Sequence, residues 1–291
     1  MIPVFIYHLG NQEYFKRCVT LNSKYNHVYI VGDDSNKDTF QHNDNVTHIH
    51  VNSFREQDYP LIRRAYDCFR NNSSEDGGEF GELNLLWNLR VFYLNELMNR
   101  TKITSFLHLD SDCILLEKTQ NIPFPSDICF SIQKFSQETN PYHMVGSIHN
   151  GLVNKKFCDT FVELFFDIYE NKSKAHLVEP KRNWHRTSPG YVCDMTLYYI
   201  LYSEKLIEVF DLNEILMVEG EECIFDHQYS SPYGYLGTAT YTMENGVKLT
   251  YINNGNVYFK TSQGKLLRTL SMHFQGGSKS ILETLTNDSF V

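Results

Sequence analysis

The chain has 291 residues, a formal net charge of −9 and ordinary hydrophobic (42%) and charged (21%) fractions, so it can bury a sizeable core as one large domain or two small ones. The acidic balance argues against a nucleic-acid binder, which would carry a basic face. No apolar run approaches the roughly 18 residues of a membrane span. The first residues enter a strand pattern at once without a basic region, so no signal peptide is expected. Seven scattered cysteines with no Cys-x-x-Cys pair fit reduced thiols and a cytoplasmic setting.

Residues 3–9 form a short apolar run that predicts a first buried strand, and Gly10-Asn11 turns the chain. Residues 13–25 carry Phe15, Val19 and Leu21 at the spacing of an amphipathic helix. Residues 27–31 predict a second strand, closed by Gly32-Asp33-Asp34-Ser35-Asn36, and 46–51 alternate like a third. Strand, helix, strand with short links opens a parallel α/β sheet. Asp33 stands where a Rossmann-like half holds a nucleotide's base or ribose, yet the same residues are also plain turn chemistry. No Gly-x-Gly-x-x-Gly follows the first strand, which excludes a nicotinamide or flavin fingerprint.

Residues 71–81 are polar and Gly-rich, a surface loop. A long helix follows from residue 80, with Phe80, Leu83, Trp87, Val91, Leu94 and Met98 on one predicted stripe. Arg90 lies beside that stripe and either snorkels to water or forms a bidentate fork on a diphosphate. The helix leads into Ser-Phe-Leu-His-Leu-Asp-Ser-Asp over residues 105–112. An apolar strand that ends in two carboxylates is where an α/β sheet places ligands. Residues two apart in an extended chain project to the same side, so Asp110 and Asp112 can meet one cation. Ser111 between them faces away or turns its hydroxyl to a ligand. The sequence shows no Lys or Arg beside the pair, and Mg²⁺ or Mn²⁺ would relieve the repulsion.

Residues 127–135 predict another strand, and His149-Asn150-Gly151 begins a further strand or a tight turn. Residues 157–169 form a strongly apolar helix. Residues 174–190 read as a loop bearing Trp184, His185 and Arg186, suited to ligand contacts or to a lid edge. Residues 193–202 return to helix, with Asp194 near its start, most simply a favourable helix-start charge. Beyond residue 233, Asn245-Gly246, Asn254-Gly255 and Gly264 punctuate short runs and predict an antiparallel meander over about 235–270. In the stretch 271–279, Ser-Met-His-Phe-Gln-Gly-Gly-Ser-Lys, His273 alone would read as a core histidine, but beside Asp-x-Asp it could complete a metal set with Asp110 and Asp112, and Lys279 could hold a phosphate. A mixed carboxylate and imidazole set fits Mn²⁺ better than Mg²⁺.

These motifs, spread in order over nearly the whole chain, resemble a metal-dependent glycosyltransferase of the GT-A fold. The likeness is to the retaining glycogenin and lipooligosaccharide galactosyltransferase type. The resemblance implies an α/β fold with a mostly parallel sheet flanked by helices and a C-terminal meander, as a single domain over 1–291. Residues 1–117 would form the nucleotide-sugar half and 118–291 the acceptor half. It implies that Asp110, Asp112 and His273 bind Mn²⁺, that Tyr7, His8 and Asp33 hold base and ribose, and that Arg90, Gly276 and Lys279 hold the diphosphate. Asn150 and Asp194 would face the donor sugar or the acceptor. The partners it implies are a UDP-sugar and a glycan or glycoconjugate hydroxyl. Two departures stand out: Ser280 follows Lys279 where the family has Pro, and Cys-Asp194-Met-Thr replaces an Asp-Gln pair. If configuration were inverted instead, Asp194 would be the first candidate for the base.

Two other classes remain in view. A sugar nucleotidyltransferase needs a basic Gly-rich loop after its first strand, and Leu9-Gly10-Asn11-Gln12 lacks it. A calcium- or carbohydrate-binding module is the non-enzymatic reading. Its calcium loop fails at Leu115, where a sharp-turn Gly belongs, and at Asn121, where a bidentate Glu belongs.

Overall fold

The structure is a computed structural model and describes residues 2–55, 59–71, 78–133, 143–187, 191–233, 240–286 and 289. Strand β1 (Val4–Tyr7) lies inside a seven-stranded sheet. Helix α1 (Glu13–Asn22) carries the chain from β1 to β2 (Val28–Gly32), which lies parallel beside β1. Strand β3 (Val46–His50) is parallel to β2. After α2 (Asn52–Arg55), α3 (Tyr59–Asn71) and the long α4 (Gly78–Thr101), β4 (Ser105–Leu109) joins the other side of β1, again parallel. The chain thus builds outward on one side of β1 and then resumes on the other. A crevice opens at such a reversal, beyond the carboxyl ends of the strands, and ligands of open α/β sheets bind there. Tyr7 and His8 stand at that end of β1, and Asp110 at that end of β4.

The remaining elements complete two sheets. Strand β5 (Cys113–Leu115) follows at once, then β6 (Cys129–Ile132), β7 (Gly146–Asn154), α5 (Lys155–Tyr169), α6 (Glu179–His185), α7 (Asp194–Ser203) and β8 (Phe210–Asp211). The first sheet runs β3-β2-β1-β4-β7-β6-β8. Its pairings are parallel except where β7 meets β4 and β6. Both faces are covered. Phe5, Phe106 and Phe130 point into a core shared with α3, α4, α5 and α7, while Val4, Ile6 and Leu109 point into another shared with α1 and the second sheet. That two-sided burial explains why β1 and β4 read as continuous apolar runs.

The second sheet comprises β9 (Leu216–Val218), β10 (Glu221–Phe225), β13 (Thr250–Asn253), β14 (Asn256–Lys260) and β15 (Leu266–His273), with β5 on the far part of β15. A separate pair, β11 (Met243–Glu244) and β12 (Val247–Lys248), sits beside it. The Asn-Gly turns fall as the sequence predicts: both residues of Asn245-Gly246 and of Asn254-Gly255 take positive φ, the geometry of a two-residue hairpin. Strand β5 has three residues and needs support on both edges. On one edge it pairs with β15, His273 opposite Cys113. On the other, the buried Asn22 carboxamide donates to Cys113 O (3.0 Å) and accepts Leu115 N–H (2.8 Å). Chain-distant His273 reaches Asp112 through this pairing. Helix α8 (Lys279–Thr284) ends the described fold.

Several expectations need correction. Residues 179–185, read as loop, form α6, with Pro180 in the first turn, where its missing N–H costs nothing. The loop over 71–81 is already helical from Gly78, and residues 72–77 lie outside the described residues. The strand over 127–135 is confined to Cys129–Ile132, and residues 134–135 also lie outside the description. The α4 stripe is out of phase at its start. Val91, Leu94 and Met98 are buried, but Leu83 is 43% exposed and, with Trp87, faces a cavity. The side chain of Phe80 is not among those described.

Candidate metal and ligand site

Asp110, Ser111 and Asp112 form the turn between β4 and β5. A donor atom from each of Asp110, Asp112 and His273 lies within 4.8 Å of the other two. The two carboxylates also line a cavity of about 420 Å³, together with Tyr7, His8, Leu9, Tyr14, Leu83, Leu86, Trp87, Arg90, Ser111 and Lys279. The lining combines charged and apolar side chains. The described lining does not include Asp33, Asn150, Asp194, Gly276 or His273.

Contrary to the sequence reading, cations do stand beside the acidic pair. Arg90 donates from Nη1 to Asp110 Oδ1 (2.6 Å), from Nη2 to Asp194 Oδ2 (2.7 Å) and from Nε to Trp87 O (3.0 Å). It neither snorkels to water nor stands free. Burial alone would raise the Asp110 pKa, but Arg90 together with His108, His273 and His149 outweighs it and holds the carboxyl below its usual range. Tyr198 donates to the same Asp194 oxygen (3.0 Å), and the Asp194 side chain is 1% exposed.

Asp112 faces two further groups, His273 Nε2 at 3.2 Å from Oδ1 and Lys279 Nζ at 3.1 Å from Oδ2. Burial raises its pKa, yet the His273 hydrogen bond and charge bring it below the ordinary value. For His273 burial disfavours the imidazolium, and the Asp112 carboxylate outweighs it, so the net shift is upward. His273 Nδ1–H donates to the His227 carbonyl (2.6 Å), which fixes the tautomer and turns Nε2 toward the carboxylates. Lys279 lies 4.4 Å over the Tyr14 ring. Gly276 needs its residue type because φ is +63°, while a Cβ there would meet open space.

His8 packs on Phe15 (ring centroids 4.1 Å). Its Nε2–H donates to Gln12 Oε1 (2.6 Å), which leaves Nδ1 to accept the Ser111 hydroxyl (2.9 Å), and burial lowers its pKa. Ser111 therefore turns its hydroxyl to His8. Asp33 is used as a turn residue: it accepts Gly10 N–H (2.9 Å), Ser35 N–H (3.0 Å) and the Ser35 hydroxyl. Asn150 is fully buried, donating to Asp226 O and Ser271 Oγ (both 3.0 Å), behind the carboxylates rather than in the cavity.

Four groups around His273 were not singled out from the sequence: His149, Asp226, His227 and Lys248. His149 stacks on His273 (4.6 Å) and bonds through Nε2 to His227 Nδ1 (3.0 Å). Burial pushes the His149 pKa down to about 3 and lowers that of His227 as well. Asp226-His227 follows the apolar Cys-Ile-Phe of β10, the same strand-then-acid signature that marks Asp110, and this was the available signal.

No protein-family model and no curated protein sequence matches the chain. Among solved structures, mouse xyloside xylosyltransferase 1 in its apo form superposes with a TM-score of 0.50 at 12% identity, over 72% of this chain and 84% of that one. At that identity the likeness establishes a shared fold. The structure titled PaToxG glycosyltransferase also matches, with a TM-score of 0.39 and 14% identity over 69% of either chain, too loosely for any conclusion about this chain. The shared fold is the mixed α/β architecture described above, with its mostly parallel central sheet.

Proposed function

We propose that this chain is a glycosyltransferase of GT-A type. It would move a sugar from a nucleotide-diphosphate donor, a UDP-sugar first, to a hydroxyl of a glycan or glycoconjugate, with Mn²⁺ or Mg²⁺ bound. The observation that carries this reading is the convergence of Asp110, Asp112 and His273 within 4.8 Å, beside a cavity that Lys279 also lines. The donor set fits such an ion. Two carboxylates and an imidazole with a fixed tautomer suit Mn²⁺, and the Lys279 ammonium facing Asp112 supports a preference for positive charge at that point. A bound cation would stabilise charge on the departing diphosphate. Lys279, 35% exposed at its side chain, is placed to turn from Asp112 to a phosphate oxygen as a mobile point charge.

All the described lining residues but Lys279 fall in 1–117, which supports assigning the nucleotide to that part of a single domain and the acceptor to 118–291. Tyr7 and His8 would contact the base or ribose. Asp33, Asn150 and Gly276 would support the site from outside the cavity. Arg90 would align the carboxylates and reach the diphosphate only by leaving Asp110. Asp194 is buried and bound to Arg90 and Tyr198, which is a poor setting for a base, and the two carboxylates among the described lining residues, Asp110 and Asp112, are paired with cations. This favours retention of configuration, since inversion needs a carboxylate free to take the acceptor proton.

The test is hydrolysis of a nucleotide-sugar panel with Mn²⁺. UDP-sugars should be turned over by the wild type, and Asp112→Ala should abolish turnover. No turnover of any nucleotide sugar, or undiminished turnover by that variant, would refute the reading.

A further inference from the structure

His273 is held at two points by consecutive residues. Its ring Nδ1–H donates to the His227 carbonyl (2.6 Å), and its backbone N–H donates to Asp226 Oδ2 (3.1 Å). The ladder between β10 and β15 shifts register between Ile224 and Phe225, and the Asp226 N–H closes on Ser271 O (3.1 Å). Past that irregularity a side-chain carboxylate, rather than a strand carbonyl, takes the His273 N–H. On the other edge Phe274 N–H donates to Asp112 O (2.9 Å). The metal-ligand imidazole therefore hangs from a backbone fixed on both sides.

The acceptor Asp226 is costly to bury. Its side chain is fully shielded, and its other oxygen pairs with Lys248 Nζ, itself 1% exposed. The Lys248 ammonium sits over Tyr241 (4.6 Å) and Phe259 (5.5 Å), so aromatic faces and one carboxylate satisfy it away from water. A buried ion pair is a weak way to gain stability, because desolvation cancels most of the attraction. Its use is better sought in what it fixes.

Resting on the metal assignment above, we infer that Asp226 is a positioning residue for His273. Its carboxylate sets where the imidazole stands before any cation arrives, and Lys248 from the β11–β12 hairpin supplies the countercharge that lets a carboxylate occupy that place.

The test compares two charge-free pairs. Asp226→Asn/Lys248→Met keeps an oxygen acceptor for the His273 N–H, while Asp226→Leu/Lys248→Met removes it. Mn²⁺ affinity is read by electron paramagnetic resonance of the free ion, alongside thermal melts. The Asn/Met pair should bind within about threefold of wild type, and the Leu/Met pair about tenfold or more weakly, the usual scale for groups that orient a ligand. Equal affinity of the two pairs, with a wild type that binds Mn²⁺, overturns this inference alone. A wild type that does not bind Mn²⁺ overturns the metal assignment with it. A further readout needs no variant. In the metal-free wild type the His273 amide should exchange with solvent among the slowest, unchanged by Mn²⁺, and fast exchange that slows only when Mn²⁺ is added would refute the inference.

Discussion

Replacing Arg90 by Met would remove the guanidinium that joins Asp110 to Asp194. Of its two partners, Asp194 is 1% exposed and Asp110 31%, so Asp194 is stranded without water and Asp110 is partly rescued by solvent. Stranding a buried charge costs about 3–5 kcal/mol. With a urea m-value of about 3 kcal/mol/M, that is a midpoint lowered by roughly 1 M or more. Arg90→Met/Asp194→Asn removes the stranded charge and keeps an acceptor for the Tyr198 hydroxyl, so it should recover all but about 1–2 kcal/mol. The sign with pH follows from Asp110, whose pKa is depressed in the folded chain. Its contribution is present above the unfolded carboxylate range and lost as pH falls, so the Arg90→Met deficit should shrink below about pH 4. Urea titrations of the three proteins at pH 7 and pH 3 measure this. A single variant as stable as wild type, or a double variant as damaged as the single, would refute the reasoning.

Acid should weaken the fold well before carboxylates titrate. His108 and His149 are held neutral by burial, with pKa values lowered to about 4 and about 3. A histidine with a depressed folded pKa contributes stability above its unfolded value of about 6.5 and loses it as pH falls, roughly 2 kcal/mol each by pH 5. His273, with a raised pKa, acts in the opposite direction and offsets part of this. A urea midpoint that stays flat or rises from pH 7.5 to 5 would contradict it. The two glycines should behave differently. At Gly32 a Cβ would stand 2.2 Å from Asn36 Oδ1 and 2.6 Å from His48 Nε2, and the buried Asn36 also holds His8 O and Gly10 O. Gly32→Ala should therefore lose about 1–3 kcal/mol and disturb the His8 end of the cavity. Gly276→Ala faces only the left-handed backbone and should lose about 1–2 kcal/mol with the cavity intact. Melts with and without UDP separate the two.

Much of the architecture could be read from residues alone, because β1, β2 and β4 are buried on both sides and α1 and α5 on one. Asp110, Asp112 and His273 were grouped by their residue types and a family resemblance. Spacing could not have placed them together, since the β5–β15 pairing that joins them depends on a three-residue strand. Helix α4 was misphased for a physical reason: its apolar residues fall on more than one face. Leu85, Leu89 and Leu97 face the core while Leu83 and Trp87 face the cavity, and a stripe drawn by period alone cannot tell the two apart. The partners of Arg90 were equally hidden, because Asp194 lies far along the chain. Asp226 carried only the strand-then-acid signature, and Lys248 gave no local sign of a buried partner, since it looks like ordinary hairpin polarity.

The central claim is that Asp110, Asp112 and His273 hold one divalent cation. Pulsed electron paramagnetic resonance of Mn²⁺ added to the wild type tests it most directly, because a directly bound imidazole nitrogen leaves its own hyperfine coupling. The account predicts one bound Mn²⁺ with a single nitrogen coupling, lost in His273→Gln, and no tight site in Asp112→Asn. Bound Mn²⁺ without a nitrogen coupling, or a coupling that survives His273→Gln, would contradict it.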